Sequence, residues 1–282
     1  MSMKPAITPP AAVAVIGLGN MGVPMASRLI HAGFQVTGFD LSEAACRRFS
    51  AAGGRVAKDA VDAVKMADVV ITLLPDGKAV RAVLESLQNN LKPGCIIMEM
   101  SSSDPIGTRT LGESHISAGF EFIDAPVSGG VKRATDGTLA IMVGGDGRTI
   151  DRVDAPLSAM GRSIFPTGVL GSGHAMKALN NYVSAAGLIA AVEATHIGEK
   201  FGLNPDLIAD ILNASSSSFR RPSMLDSHCA SWRKTCGLPT ISPTRSVRQA
   251  RWPMFARSFG TMHRKRLAKR PTTRKLVATS KR

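Results

Sequence analysis

Three groups of residues in this 282-residue chain have types and spacings suited to chemistry. The first is Gly17-Leu18-Gly19-Asn20-Met21-Gly22, which leaves the apolar run from Val13 to Gly17 and opens an apolar-periodic segment with Met25, Leu29 and Ile30. Gly17 permits a tight turn, Gly19 lets a pyrophosphate approach the backbone, and Gly22 permits close helix packing. A helix N-terminus there favours the phosphate charge. In a chain with 27 glycines such a motif carries weight only through its context, which here is strand before and helix after. Asp40, 23 residues beyond Gly17 at the end of a second strand-like run, can accept both hydroxyls of a ribose and repel a 2′-phosphate. The pair points to a dinucleotide, with NAD favoured over NADP. Arg47 and Arg48 are the residues through which a 2′-phosphate would still be held.

The second group is Asp124-Ala125-Pro126-Val127-Ser128-Gly129-Gly130, where a hydroxyl and consecutive flexible amides can hold a carboxylate. Taken alone it reads equally as a turn. The third is Lys177 and Asn181, four apart and therefore on one helix face, just after Gly171-Ser172-Gly173. Alone, such a pair reads as a solvated stripe. His174, just before the long helical segment, is read as a partly exposed structural histidine rather than a cofactor contact, and His115 and His196 have no partners at metal spacing, so no metal is assigned.

Positioning these groups requires alternating elements. Strand-like runs fall at Val13 to Gly17, Phe34 to Phe39, Val69 to Leu74, Cys95 to Met100, Phe120 to Ile123 and Ala140 to Val143. Helical or turn-rich stretches such as Lys78 to Leu87 separate them. The alternation implies βαβ units in an α/β, doubly wound parallel sheet. From Ala175 to Gly202 the pattern is helical, and Asn204-Pro205-Asp206 reads as the cap and first turn of another helix through Leu212.

Charge divides the chain. Of 35 Lys and Arg, 17 lie between Ser216 and Arg282 with a single acid, Asp226, which leaves residues 1–215 with 18 bases against 20 acids. The same stretch holds both tryptophans, Trp232 and Trp252, and two of the four cysteines, Cys229 and Cys236, but no Glu. Cys46, Cys95, Cys229 and Cys236 make neither a disulfide framework nor a metal clamp. With no long uncharged apolar run and no cleavage-site pattern, the expected setting is reduced and cytoplasmic, with no membrane association.

Together, the glycine motif followed by Pro24-Met25-Ala26, the strand end Leu73-Leu74-Pro75, the segment from Asp124 to Gly130, and Gly171-x-Gly173-x-x-x-Lys177-x-x-Asn180-Asn181 resemble the β-hydroxyacid dehydrogenase family. That family includes 3-hydroxyisobutyrate dehydrogenase and tartronate semialdehyde reductase. The resemblance runs from about Val13 to Ser215. It implies a Rossmann-type NAD-binding domain at 11–170, then a long interdomain helix opening an all-helical substrate and dimerisation domain, of which 171–215 is the start. It also implies NAD-dependent interconversion of a small β-hydroxyacid, 3-hydroxyisobutyrate-like, and its semialdehyde. Lys177 would be the general acid/base, its ammonium disfavoured by burial and a cationic nicotinamide. Asn181 would orient the substrate, and Ser128, Gly129 and Gly130 would bind its carboxylate. Gly17, Leu18, Gly19, Asn20, Met21, Gly22, Asp40, Leu74, Pro75 and Ser102 would hold the cofactor. A homo-oligomer is implied where the helical domain is intact.

Beyond Ser215 the resemblance stops, and residues 216–282, with five Pro and no sustained apolar periodicity, read as a disordered or out-of-frame tail that truncates the helical domain. The change of composition at one point favours a reading-frame change near Ser216. Two other readings follow from it. One is a catalytically impaired NAD-binding remnant. The other is nucleic-acid binding by Arg264-Lys265-Arg266, Lys269-Arg270 and the two tryptophans, less favoured because charge runs are more often solvated tails.

Overall fold

The computed structural model describes residues 4–215. The expectations for 216–282, including the basic tail, the tryptophans, Cys229 and Cys236, lie outside the described residues. In chain order the elements are β1 (Ala12–Ile16), α1 (Gly22–His31), β2 (Gln35–Phe39), α2 (Glu43–Ala51), β3 (Arg55–Val56), α3 (Ala60–Val64) and β4 (Val69–Thr72). There follow α4 (Gly77–Leu87), β5 (Ile96–Glu99), α5 (Pro105–Ser117), β6 (Glu121–Asp124), β7 (Val127–Ser128), α6 (Gly130–Asp136) and β8 (Leu139–Gly144). The last are α7 (Gly147–Arg152), α8 (Asp154–Met160), β9 (Gly161–Gly168), α9 (Ser172–Phe201) and α10 (Pro205–Ser215).

The strands form one sheet in the order β3-β2-β1-β4-β5-β6-β8-β7, with β9 also on β8. The six strands from β3 to β6 are mutually parallel, which gives the α/β, Rossmann-type doubly wound sheet. The far edge departs from the all-parallel expectation: β8 runs antiparallel to β6 and β7 and parallel to β9. β9 is not legible as a strand because its sequence, Gly-Arg-Ser-Ile-Phe-Pro-Thr-Gly, lacks apolar continuity and contains Pro166. Proline is tolerated at such an edge, where an amide donor is dispensable.

Burial on both faces explains the continuous apolar strands. Within β1, Val13 and Val15 join one core layer with Ile71, Met98, Ile123, Met25 and Leu29, while Ala14 and Ile16 join the opposite layer with Val70, Ile97, Val80 and Leu84. Successive side chains of a strand point to opposite faces, so helices on both sides need an apolar residue at every position.

α9 is 30 residues long and leaves the sheet after its first turns. Farther along it exposes Tyr182, Val183, Val192, Ile197 and Phe201. Near its end Gly198 lets Ile208 of α10 close in, since a Cβ at Gly198 would stand 2.3 Å from the Ile208 Cδ1.

Phe49 anchors the β2 edge: it is fully buried, and a Cβ at Gly38 or Gly54 would lie 2.6 or 2.2 Å from its ring. Phe49→Ala is expected to destabilise the chain by ~3–5 kcal/mol, read from urea unfolding, because the rigid surround cannot collapse on the cavity.

Candidate functional site

The turn between β1 and α1 is built by close approach. Gly17 has φ +102°, and a Cβ there would stand 2.2 Å from the Leu73 carbonyl oxygen. A Cβ at Gly22 would stand 2.0 Å from the Gly17 oxygen, whereas one at Gly19 would meet nothing within 4 Å. Gly17 and Gly22 therefore shape the turn, and Gly19 faces open space. Among the described residues the amides of Gly19, Asn20 and Met21 have no protein acceptor. Asn20 is exposed and Met21 is half-buried against the core. Leu18 is fully buried, and its amide donates to Asp40 Oδ2 at 2.7 Å, while Asp40 Oδ1 accepts from the Ser42 amide at 2.8 Å. Asp40 thus braces the turn as well as ending β2. Arg47 pairs with Glu43 at 3.1 Å on the exposed face of α2. Open amides at a helix N-terminus, a bare glycine and a strand-end carboxylate fit the pyrophosphate and ribose of a dinucleotide.

The C-terminal ends of β4, β5 and β6 carry a row of polar residues in one register, Thr72 beside Glu99 beside Asp124. All three are buried. The start of α9 docks on this row. Its N-terminal residue Gly171 offers no side-chain cap; instead Asp124 caps the helix from the sheet. Asp124 Oδ1 accepts from the Gly171 amide at 2.7 Å, and Oδ2 accepts from the His174 amide at 2.8 Å. Gly173 makes this approach possible, since a Cβ there would stand 2.4 Å from the Met142 oxygen and 2.8 Å from Asp124 Oδ2.

His174 completes the docking. Its Nε2 donates to the Ser101 carbonyl at 3.0 Å and stands 2.8 Å from Glu99 Oε2. Its Nδ1 faces Thr108 Oγ1 at 3.2 Å and Asp124 Oδ2 at 3.3 Å. Burial by itself would push the imidazolium pKa down, but the carboxylates of Asp124 and Glu99 outweigh it and lift the pKa from 6.5 to about 9. Glu99 Oε1 also accepts from the Ser101 amide at 2.9 Å, and the Ser101 hydroxyl accepts from the Leu74 amide at 3.0 Å. One network therefore joins β4, β5, α5, β6 and α9.

The residues expected to bind substrate and nicotinamide surround this network. Leu74 is half-buried and Pro75 exposed, between β4 and α4. Ser102 is exposed, directly after Ser101. Ser128 lies in β7 and Gly130 opens α6; both it and Gly129 have positive φ, +69° and +140°. Lys177 and Asn181 are half-buried on α9, at i+3 and i+7 from His174. Those spacings share a helix face. The nucleotide turn, Leu74-Pro75, Ser102 and Asp124 thus all lie at the C-terminal edge of the parallel strands, where open α/β sheets bind ligands.

The partly exposed setting expected for His174 is not what the structure has: its ring is fully buried, because Glu99, Ser101, Thr108 and Asp124 supply polar partners that the sequence did not reveal. The available signal was an acid ending each of two apolar strands, Ile96 to Glu99 and Phe122 to Asp124. His115 is buried against Phe120 and Phe122, and His196 is exposed on α9. Among the described residues no group of His, Cys, Asp and Glu is arranged to hold a metal, and no helix is long and apolar enough to cross a membrane.

Comparison with known proteins gives matches to two family models. Residues 12–169 match the NAD binding domain of 6-phosphogluconate dehydrogenase, and residues 171–228 match the NAD-binding domain of NADP-dependent 3-hydroxyisobutyrate dehydrogenase, so the family match runs 13 residues past Ser215, the expected end of the resemblance. An NAD-dependent L-serine dehydrogenase of Pseudomonas aeruginosa is 39% identical over 207 residues, covering 72% of this chain and 70% of its own. A probable 3-hydroxyisobutyrate dehydrogenase of Mycobacterium tuberculosis is 36% identical over 247 residues, covering 86% and 80%. A solved structure of the Mycobacterium tuberculosis 3-hydroxyisobutyrate dehydrogenase with L-serine superposes with a TM-score of 0.71 at 33% identity, covering 93% of this chain and 89% of that one.

Because the folded chain holds the His174 proton more tightly than the unfolded chain, the stabilisation this proton brings is complete below pH 6.5 and fades as pH rises through about 9. Thermal melts are expected to show a falling Tm from pH 6.5 to 9 that is absent in His174→Gln. Parallel pH profiles for the two proteins would contradict a charged His174.

Proposed function

Because this chain belongs to the β-hydroxyacid dehydrogenase family and is an NAD-dependent hydroxyacid dehydrogenase, we propose that its substrate is a small carboxylate with a primary alcohol on the β carbon, oxidised to the semialdehyde. Two relatives are named for L-serine and 3-hydroxyisobutyrate, and both molecules have that group. What supports the reading is the docking of the start of α9, through Gly171 and His174, on the C-terminal edge of the strands that also carries the nucleotide turn, with Lys177 and Asn181 at spacings that share the helix face of His174.

In this reading the amides of 19–21 bind the pyrophosphate and Asp40 accepts the ribose hydroxyls, which disfavours a 2′-phosphate. Leu74, Pro75 and Ser102 border the nicotinamide. NAD supplies the hydride acceptor. Ser128 and the amides of Gly129 and Gly130 hold the carboxylate, so the β carbon is presented in one orientation, and Asn181 holds the hydroxyl oxygen. Lys177 takes the hydroxyl proton as the C–H electron pair departs with its hydrogen and the C=O bond forms. In the reverse direction Lys177 returns that proton to the oxygen.

The test is NADH formation by the full-length chain with NAD+ and a panel of β- and α-hydroxyacids. Turnover is expected with β-hydroxyacids bearing a primary alcohol. Lys177→Ala is expected to lower kcat by ~10²–10⁴-fold, the usual range for a general acid/base, with NAD affinity retained. A Lys177→Ala enzyme within a few-fold of the parent would contradict the assignment.

A further inference from the structure

We infer that Asp124 and His174 are positioning residues for the reaction: they fix the register and rotation of the first turns of α9, and with them the reach of Lys177 and Asn181. The inference rests on the reading of Lys177 as the proton acceptor. Three observations carry it. The helix begins at a glycine with no cap of its own, so the amides of Gly171 and His174 depend on Asp124, 47 and 50 residues away, for their acceptor. That contact sets where α9 starts along the sheet edge.

The His174 ring, fully buried between Glu99, Ser101, Thr108 and Asp124, sets the rotation of the helix about its axis. A slip of one residue turns an α-helix by about 100°, which would take the ring out of the cluster and carry Lys177 off the cleft face. Gly173, against the Met142 carbonyl and Asp124, fixes the distance between helix and sheet. Beyond these turns α9 has largely exposed sides, so the docking point controls the direction in which the rest of the helix leaves.

A buried ion cluster is weak evidence for stability, since an apolar replacement often serves as well. What the cluster does supply is direction, since its bonds to the Gly171 and His174 amides and to the His174 ring are met in one placement of the helix. The groups facing His174 from each packed element are Glu99 on β5, Asp124 on β6 and Thr108 on α5, with Arg109 of α5 turned to the Leu170 carbonyl at 3.1 Å.

The experiment compares His174→Gln, His174→Ala and Asp124→Asn in the full chain by steady-state kinetics, NAD titration and hydrogen–deuterium exchange. Glutamine keeps a donor for the Ser101 carbonyl, whereas alanine leaves none. His174→Ala and Asp124→Asn are expected to lower kcat at least ~10-fold, since a misplacement near 1 Å can cost ~100-fold. NAD affinity should stay within about two-fold, because the turn at 17–22 lies outside the network and only the Leu74 amide, held by Ser101, ties the cofactor side to it. Exchange should quicken at the amides of 172–178 and stay unchanged in β1 and α1. His174→Gln should recover part of both effects.

Parental kcat and parental exchange in His174→Ala would overturn the inference. So would equal loosening of β1 and α1, which marks a general structural role. Should the parent turn over no β-hydroxyacid, the functional reading fails, and exchange at 172–178 still decides whether the docking depends on these residues. Should His174→Ala not fold, Asp124→Asn and His174→Gln give the same comparison.

Discussion

A buried histidine ring set between two buried acidic side chains, Glu99 and Asp124, is the contact through which the sheet and α9 become one site. Burying any one of these polar groups without partners would be costly, so each depends on the others for its hydrogen bonds. The amides of Gly171 and His174 donate to Asp124, and the amide of Ser101 donates to Glu99, so both acids are held by the backbone as well as by the ring. The cluster is therefore cooperative with the backbone around it: the helix start, the ends of β5 and β6 and the loop after β4 assemble together. The motif Gly171-x-Gly173-His174 is the sequence form of that requirement, with one glycine where the helix begins and another where it touches the sheet.

The nucleotide side of the site is assembled separately. Its turn is fixed by Gly17 and Gly22 packing on Leu73 and on each other, and Asp40 braces it through the Leu18 amide. The two halves meet at Leu74, whose amide is held by Ser101, so the residue expected beside the nicotinamide is tied to the network that docks the helix. Cofactor binding and proton transfer are thus built on neighbouring but separable supports.

The sequence made the nucleotide half readable because every signal there is local. An apolar strand, three spaced glycines, an amphipathic helix and an acid at the next strand end all fall between Val13 and Asp40, and the β1–α1–β2 unit forms as expected. β1, β2, β4, β5 and β6 are legible as strands of a parallel sheet for the same reason, though not their order within it. β3 and β7, two residues each, are too short for any period to show, and β9 is masked by its polar and proline content. His174 was legible as structural, but its partners were not, because Glu99 and Asp124 are 75 and 50 residues away and read as ordinary strand ends. What makes them functional is the register that sets them side by side. The glycines at 171 and 173 were recognised as a motif through the family resemblance, and their physical reason appears only with the Met142 and Asp124 contacts in place.

Whether His174 carries its charge in the folded protein decides if this cluster operates as an ionic dock. The direct measurement is nitrogen NMR of the 15N-labelled histidine ring, assigned by comparison with His174→Gln and followed through neutral pH. Two protonated ring nitrogens at pH 7.5, persisting until the pH approaches about 9, are the predicted result. A neutral imidazole with one bare nitrogen at pH 7.5 would contradict it, because Glu99 and Asp124 would then face each other without a cation between them.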